Sequence, residues 1–193
     1  MATSVNVPHW MKICLGCLIV NTTTADTLIP PPAYQLAAHQ AGVPPAVLYA
    51  IALQESGTNL KDRQVPWPWT LNIAGQPRRF VTSQAACAEL HSALDTVPDR
   101  RIDVGLGQIN IGYYAQRVTQ PCDLLDPYKN LAIAATILRE QYKPAEGWLH
   151  AAGSYHRPTG GVPAERYRRG IHQRLSGIRG GSQALTVSQE VSQ

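Results

Sequence analysis

Apolar positions recur at helical spacing through most of the chain, and the elements they predict are mainly helices. Ala33 to Gln40 reads as a short helix that Gly42 stops. Pro44 and Pro45 open the next one, where a missing amide hydrogen costs nothing, and it runs from Val47 through Glu55 to Gly57. Its apolar stripe is Leu48, Ile51, Ala52 and, one step further along, Glu55. From Lys61 to Arg79 the helical period disappears. Pro66 to Ile73, followed by Ala74-Gly75, predicts a strand and turn within a short β-hairpin. Ser83 is expected to cap a helix reaching about Leu94, and Pro98 to Asp103 is expected to be loop. The glycine-rich stretch from Asp103 to Asn110 reads as an irregular turn that brings backbone close to something else. Leu131, Ala134, Ala135 and Leu138 mark a core helix from Asn130 to Gln141, and Ala145 to Tyr155 forms another. Pro163 opens a last helix, Ala164 to about Leu175, studded with arginines. Residues 176–193, rich in Gly, Ser and Gln, are expected to be a flexible tail. The fold class is therefore mainly α, of α+β type, a helical bundle with a small β-hairpin.

Composition narrows this to one packed domain: 193 residues, 44% hydrophobic and 16% charged, exclude wholesale disorder. Lys and Arg outnumber Asp and Glu by 17 to 13, with much of the excess between Arg157 and Arg179. That surface suits an anionic polymer, or is simply a solvated helix face. Near the N-terminus, Lys12 precedes the apolar run Ile13 to Val20, and Thr23 and Ala25 supply small residues at signal-peptidase spacing. Residues 1–25 are thus expected to be an export signal. The run is far shorter than the roughly 18 to 20 residues of a bilayer span, so no stable membrane span is expected once it is removed. His9 and Trp10 are unusual before a signal sequence, which makes Met11 an alternative start. Cys14 and Cys17 lie inside this segment and no second ligand pair follows at zinc spacing, so no metal site is expected. The two remaining cysteines, Cys87 and Cys122, are then expected to form a disulfide in an oxidising compartment.

Glu55 is the chemical anomaly. An ionised carboxylate on a buried stripe is costly, whereas a protonated one is tolerated. The plainer alternative is that it sits at a frayed helix end where the stripe meets water.

Four separated pieces bring a family into view: Ala52-Leu53-Gln54-Glu55-Ser56-Gly57, Gly105-Leu106-Gly107-Gln108-Ile109-Asn110, Asn130-Leu131-Ala132-Ile133-Ala134 and Ala151-Ala152-Gly153-Ser154-Tyr155. In order and spacing, from about Pro32 to Arg174, the chain resembles the soluble lytic transglycosylases, lysozyme-like enzymes that cleave peptidoglycan. The resemblance implies a helical domain around a substrate cleft, with Glu55 as catalytic acid and base. It carries over Gln108, with Asn110 nearby, and Tyr155 as cleft residues and calls for no cofactor; Ser56 and His156, their neighbours in sequence, are further expected substrate contacts, and the export signal implies a periplasmic location. The sequence departs from the commoner pattern at Gly107, where many relatives have methionine, and at His156-Arg157-Pro158, where they have asparagine followed by small residues. The segment Trp67-Pro68-Trp69-Thr70-Leu71-Asn72 resembles the version found beside type IV secretion and conjugative pilus systems, which implies a secretion or pilus apparatus as partner. Nucleic acid is not an expected partner, since the C-terminal arginines belong to no recognised binding motif.

The resemblance implies that one acid suffices: it would protonate the leaving oxygen of the MurNAc-GlcNAc bond, then act as base on the six-hydroxyl of the same muramic acid, giving a 1,6-anhydro product without water. A lysozyme-like hydrolase would use a second carboxylate. Asp62 and Asp103 are the candidates, and Asp103 is read as pinning the glycine turn through bonds to backbone amides. A catalytically silent wall-binding scaffold is the remaining alternative. Tyr113, Tyr114, Trp67 and Trp69 are either core aromatics or platforms for sugar rings.

Overall fold

A computed structural model describes residues 27–186. The expected export signal, with Cys14, Cys17 and Met11, and the end of the expected tail lie outside these residues. Helices dominate: α1 (Pro32–Ala41), α2 (Pro45–Ser56), α3 (Ser83–Leu94), α4 (Ile111–Tyr114), α5 (Pro127–Glu140), α6 (Gly147–His156), α7 (Gly161–Leu175) and α8 (Gly181–Thr186). The strands are β1 (Gly57–Leu60), β2 (Arg63–Pro66), β3 (Thr70–Ile73), β4 (Gln76–Arg79), β5 (Ile102–Val104) and β6 (Ile109–Asn110). The mainly α architecture with a small antiparallel sheet is the expected one. No single helix among the described residues is long and apolar enough to cross a membrane.

The centre of the molecule is α2. Every residue from Ala46 to Leu53 is buried, so this helix is apolar all round rather than striped, and it touches α1, α5, α6, α7 and α8. Pro45 stands in its first turn as the sequence predicts, and Gly42 ends α1 in the left-handed conformation. The cap of α3 is Thr82, one residue earlier than expected, because its side chain accepts from the amide of Ala85. α5 begins earlier too. Asp126 caps it by accepting from the amides of Tyr128 and Lys129, with Pro127 in the first turn.

The predicted hairpin forms as β3 and β4, joined by Ala74 and Gly75, both at positive φ. It is part of a larger sheet of order β4-β3-β5-β6, and a second hairpin, β1-β2, precedes it. The stretch expected as loop up to Asp103 thus contributes a central strand. Leu71, Ile73, Ile102, Val104 and Ile109 point to the core from this sheet, and the alternate residues face the other way.

One further expectation is corrected, and the expected disulfide forms. The chain after Ser176 is packed as far as α8: Ile178 and Ala184 are buried, and Leu28 bridges Ile178 in parallel, Leu28 N–H donating to Gly177 O at 2.9 Å and Arg179 N–H to Leu28 O at 2.8 Å. Two apolar residues in a polar stretch are enough to dock it. Cys87 and Cys122 are joined by a disulfide that ties α3 to the 3-10 turn Pro121–Leu125. His91 Nε2 lies 3.5 Å from Cys122 Sγ, but with both sulfurs bonded to each other the trio offers no thiolate pair to a metal.

Candidate active site

The end of α2 and one face of the sheet form opposite walls of a cleft of about 970 Å³. Its lining includes Glu55, Gln108, Asn110, Tyr155 and His156, five of the six residues named from sequence. Ser56 is not among them. Its side chain is fully buried, and its hydroxyl lies 3.0 Å from Ala52 O and 2.9 Å from Leu106 O, sharing one hydrogen between them. Ser56 is therefore a tie between the end of α2 and the glycine turn, not a substrate contact. Asp62 is exposed at the tip of the β1-β2 hairpin, away from the cleft lining.

The helical wall carries Glu55. Tyr167 of α7 donates its phenolic hydrogen to Glu55 Oε1 at 2.6 Å. Burial pushes the Glu55 carboxyl up to about 7, with the Tyr167 bond pulling down and the charge of Asp103 adding to the rise. With Oε1 occupied by that hydrogen, Oε2 is the oxygen left to carry the acidic proton. His156 stacks on the Tyr167 ring, centroids 4.5 Å apart and planes 7° from parallel. Burial first, and then Arg157, hold its imidazole below the ordinary range, while Asp103 opposes them. Tyr155 donates to Gly107 O at 2.6 Å and, through burial and the nearby Glu55, stays a neutral phenol.

The glycine turn is built to be gripped. Gly105 has φ +82, and a Cβ there would collide with the Asn130 side chain and the Leu124 carbonyl. Asn130, buried on α5, donates to Val104 O at 2.9 Å and Leu124 O at 2.8 Å and accepts from Gly107 N at 2.8 Å. At Gly107 a Cβ would stand 2.7 Å from Ala134 Cβ and 2.8 Å from Tyr155 Oη, so α5 and the tyrosine hydroxyl leave no room for a side chain there. Gln108, at φ 47, donates from Nε2 to Gly105 O at 2.8 Å and Thr70 O at 3.3 Å. What it can offer a ligand is its carbonyl oxygen.

On the sheet wall, register does the positioning. Asn72 pairs with Asp103, and Asp103 with Asn110, so the three side chains stand in one row on one face. Asp103 Oδ2 accepts from Asn72 Nδ2 at 3.1 Å and Oδ1 from Asn110 Nδ2 at 2.7 Å. The expected bonds from Asp103 to backbone amides are replaced by these side-chain bonds, because the register puts asparagine on both sides of it. Tyr113 is exposed and Tyr114 partly buried, and both line the cleft. Trp67 and Trp69 are part-buried; Trp67 Nε1 donates to Phe80 O at 2.7 Å, and neither lines the cleft.

Tyr167, Asn72 and Asn130 were not singled out from sequence. The available signal for Tyr167 was its place on the stripe Ala164, Tyr167, Ile171 and Leu175 of an otherwise polar helix, all four buried.

In comparisons with known proteins, a family model described as Transglycosylase SLT domain matches residues 32–171. No curated protein and no solved structure matches.

Proposed function

From a chain that belongs to the transglycosylase SLT domain family, and so to the peptidoglycan lytic transglycosylases, we propose an enzyme that cleaves the MurNAc-GlcNAc bond to a 1,6-anhydromuramoyl product with Glu55 as acid and base. The observation that carries this is the Glu55 carboxyl, held at about 7 at the cleft floor with one oxygen fixed by Tyr167. Near neutral pH such a group is a proton donor a substantial part of the time and can still take the proton back. Oε2 gives its proton to the leaving glycosidic oxygen and the bond to the anomeric carbon breaks. The muramyl six-hydroxyl then closes on that carbon and returns its proton to Glu55. Gln108 and Asn110 border the sugar path from the glycine turn, and Tyr155 and His156 border it from α6.

The test is digestion of purified sacculi followed by mass spectrometry of the released muropeptides. Anhydro ends, lighter by one water than hydrolysed ends, are expected. Glu55→Gln is expected to lose cleavage by about 10²- to 10⁴-fold while folding normally. Hydrolysed ends alone, or near-normal activity in the variant, would refute the assignment.

The enzyme is further proposed to be exported to the periplasm and to open the wall locally for a conjugation, secretion or pilus apparatus. The apolar run after Lys12 and the Trp67 to Asn72 segment support this reading. Deleting the gene should reduce DNA transfer or pilus assembly with growth unchanged, and the Glu55→Gln protein should not restore it. A growth defect with normal transfer would count against the apparatus.

A further inference from the structure

The sheet wall holds a second carboxylate that the reaction above leaves unused. Asp103 has both oxygens fixed by amide hydrogens, from Asn72 at 3.1 Å and Asn110 at 2.7 Å. Asn110 Nδ2 is itself anchored by donating to Arg100 O at 3.0 Å. Among the described residues Asp103 has no ion-pair partner. It is therefore a carboxyl positioned by neutral donors alone, in the same cleft as Glu55.

The neighbours of Asp103 are committed to holding it. Asn72 on β3 and Asn110 on β6 turn their amide hydrogens toward the carboxylate from either side, while each Oδ1 is shut away from solvent with no hydrogen-bond partner. Both residues line the cleft.

We propose that Asp103 is a second catalytic carboxylate, remaining ionised to stabilise the positive charge that develops on the anomeric carbon and ring oxygen as the glycosidic bond breaks, with Asn72 and Asn110 as its positioning residues. The inference rests on the glycan cleavage proposed above. Protons still move only through Glu55: leaving oxygen first, six-hydroxyl second. Asp103 neither gains nor loses a bond. Two carboxylates made to behave differently by their surroundings are a general glycosidase arrangement, one kept neutral by burial and one kept charged by polar donors. Burial raises Asp103 as it raises Glu55, but two amide donors oppose it where a single phenol opposes the rise at Glu55. The titratable groups facing Asp103 are Glu55 from α2 and His156 and Tyr155 from α6.

Activity should then follow a bell-shaped pH profile, with an acid limb from Asp103 and an alkaline limb from Glu55. On solubilised glycan strands, Asp103→Asn is expected to lower kcat roughly 100-fold with KM within about threefold, and to abolish the acid limb. Asn72→Ala removes one donor from the carboxylate, so the acid limb should move to higher pH while the alkaline limb stays. Near-normal kcat in a folded Asp103→Asn protein would overturn the proposal. Should that variant fail to fold, an unmoved acid limb in Asn72→Ala overturns it instead. Parent enzyme that cleaves normally beside an unaffected Asp103→Asn variant removes only Asp103, whereas a parent that releases no muropeptides removes the cleavage reading itself.

Discussion

The two walls of the cleft surround the same functional group in different ways. On the helical wall Glu55 ends a helix that is buried all round, and its one side-chain partner is a phenol. On the sheet wall Asp103 lies between two asparagines that cross-strand pairing places beside it. Burial raises both carboxyls, and the two walls offset it differently, with one phenol at Glu55 against two amide donors at Asp103. A helix terminus delivers one side chain into an apolar setting, while a sheet delivers a row.

Asn130→Ala tests what keeps the walls in register, and it should have the largest effect on stability. The substitution orphans Val104 O, Leu124 O and Gly107 N–H together, so a loss of about 3 kcal/mol or more is expected by denaturant unfolding. A loss under about 1 kcal/mol would mean that water replaces the amide and that the turn is not gripped by α5.

Glu55→Gln sharpens the comparison through the pH dependence of stability. In the native state the Glu55 carboxyl is raised from 4.5 to about 7, so the folded protein holds its proton more tightly than the unfolded chain does. Below about 4.5 both states are protonated and the group is neutral to stability. As pH rises through the interval to about 7, the unfolded state alone is ionised and stability falls; above that interval the penalty is constant. Discounted for water in the cleft, it is about 2 kcal/mol. The variant should lack this decline, so its stability relative to the parent should be greater at pH 8 than at pH 4. Parallel pH curves for the two proteins would show that Glu55 is ordinary.

Tyr167→Phe is the smallest change. Its hydroxyl pulls the Glu55 carboxyl down, so removing it should move the alkaline limb of the activity profile to higher pH, with up to about a tenfold loss of kcat from the unfixed oxygen. A limb that stays in place would separate Tyr167 from the acid.

Much of the helical wall was legible in the sequence, and little of the sheet wall. Proline at helix starts, glycine after a helix end and apolar residues three and four apart gave α1, α2, α3, α6 and α7 to within a few residues, and Glu55 stood out as a charge on an apolar stripe. The strands are only two to four residues long, too short for alternation to emerge. β1 and β2, largely polar, carry no apolar face to detect. The row of Asn72, Asp103 and Asn110 depends on register across three strands, which no local pattern encodes. Ser56 was misassigned for a related reason: adjacency to Glu55 in sequence puts it on another side of the helix, turned inward. The aspartate-proline pair at Asp126-Pro127 is a readable start for α5, but the apolar period becomes regular only from Leu131.

The parallel bridge between Leu28 and Ile178 works as a clasp. Leu28 lies near the start of the described residues, and two backbone hydrogen bonds fix it to the turn that leads from α7 into α8. α8 packs on α2 and α6 with Ala184 buried, so the clasp and α8 together bear on the helix that ends in Glu55.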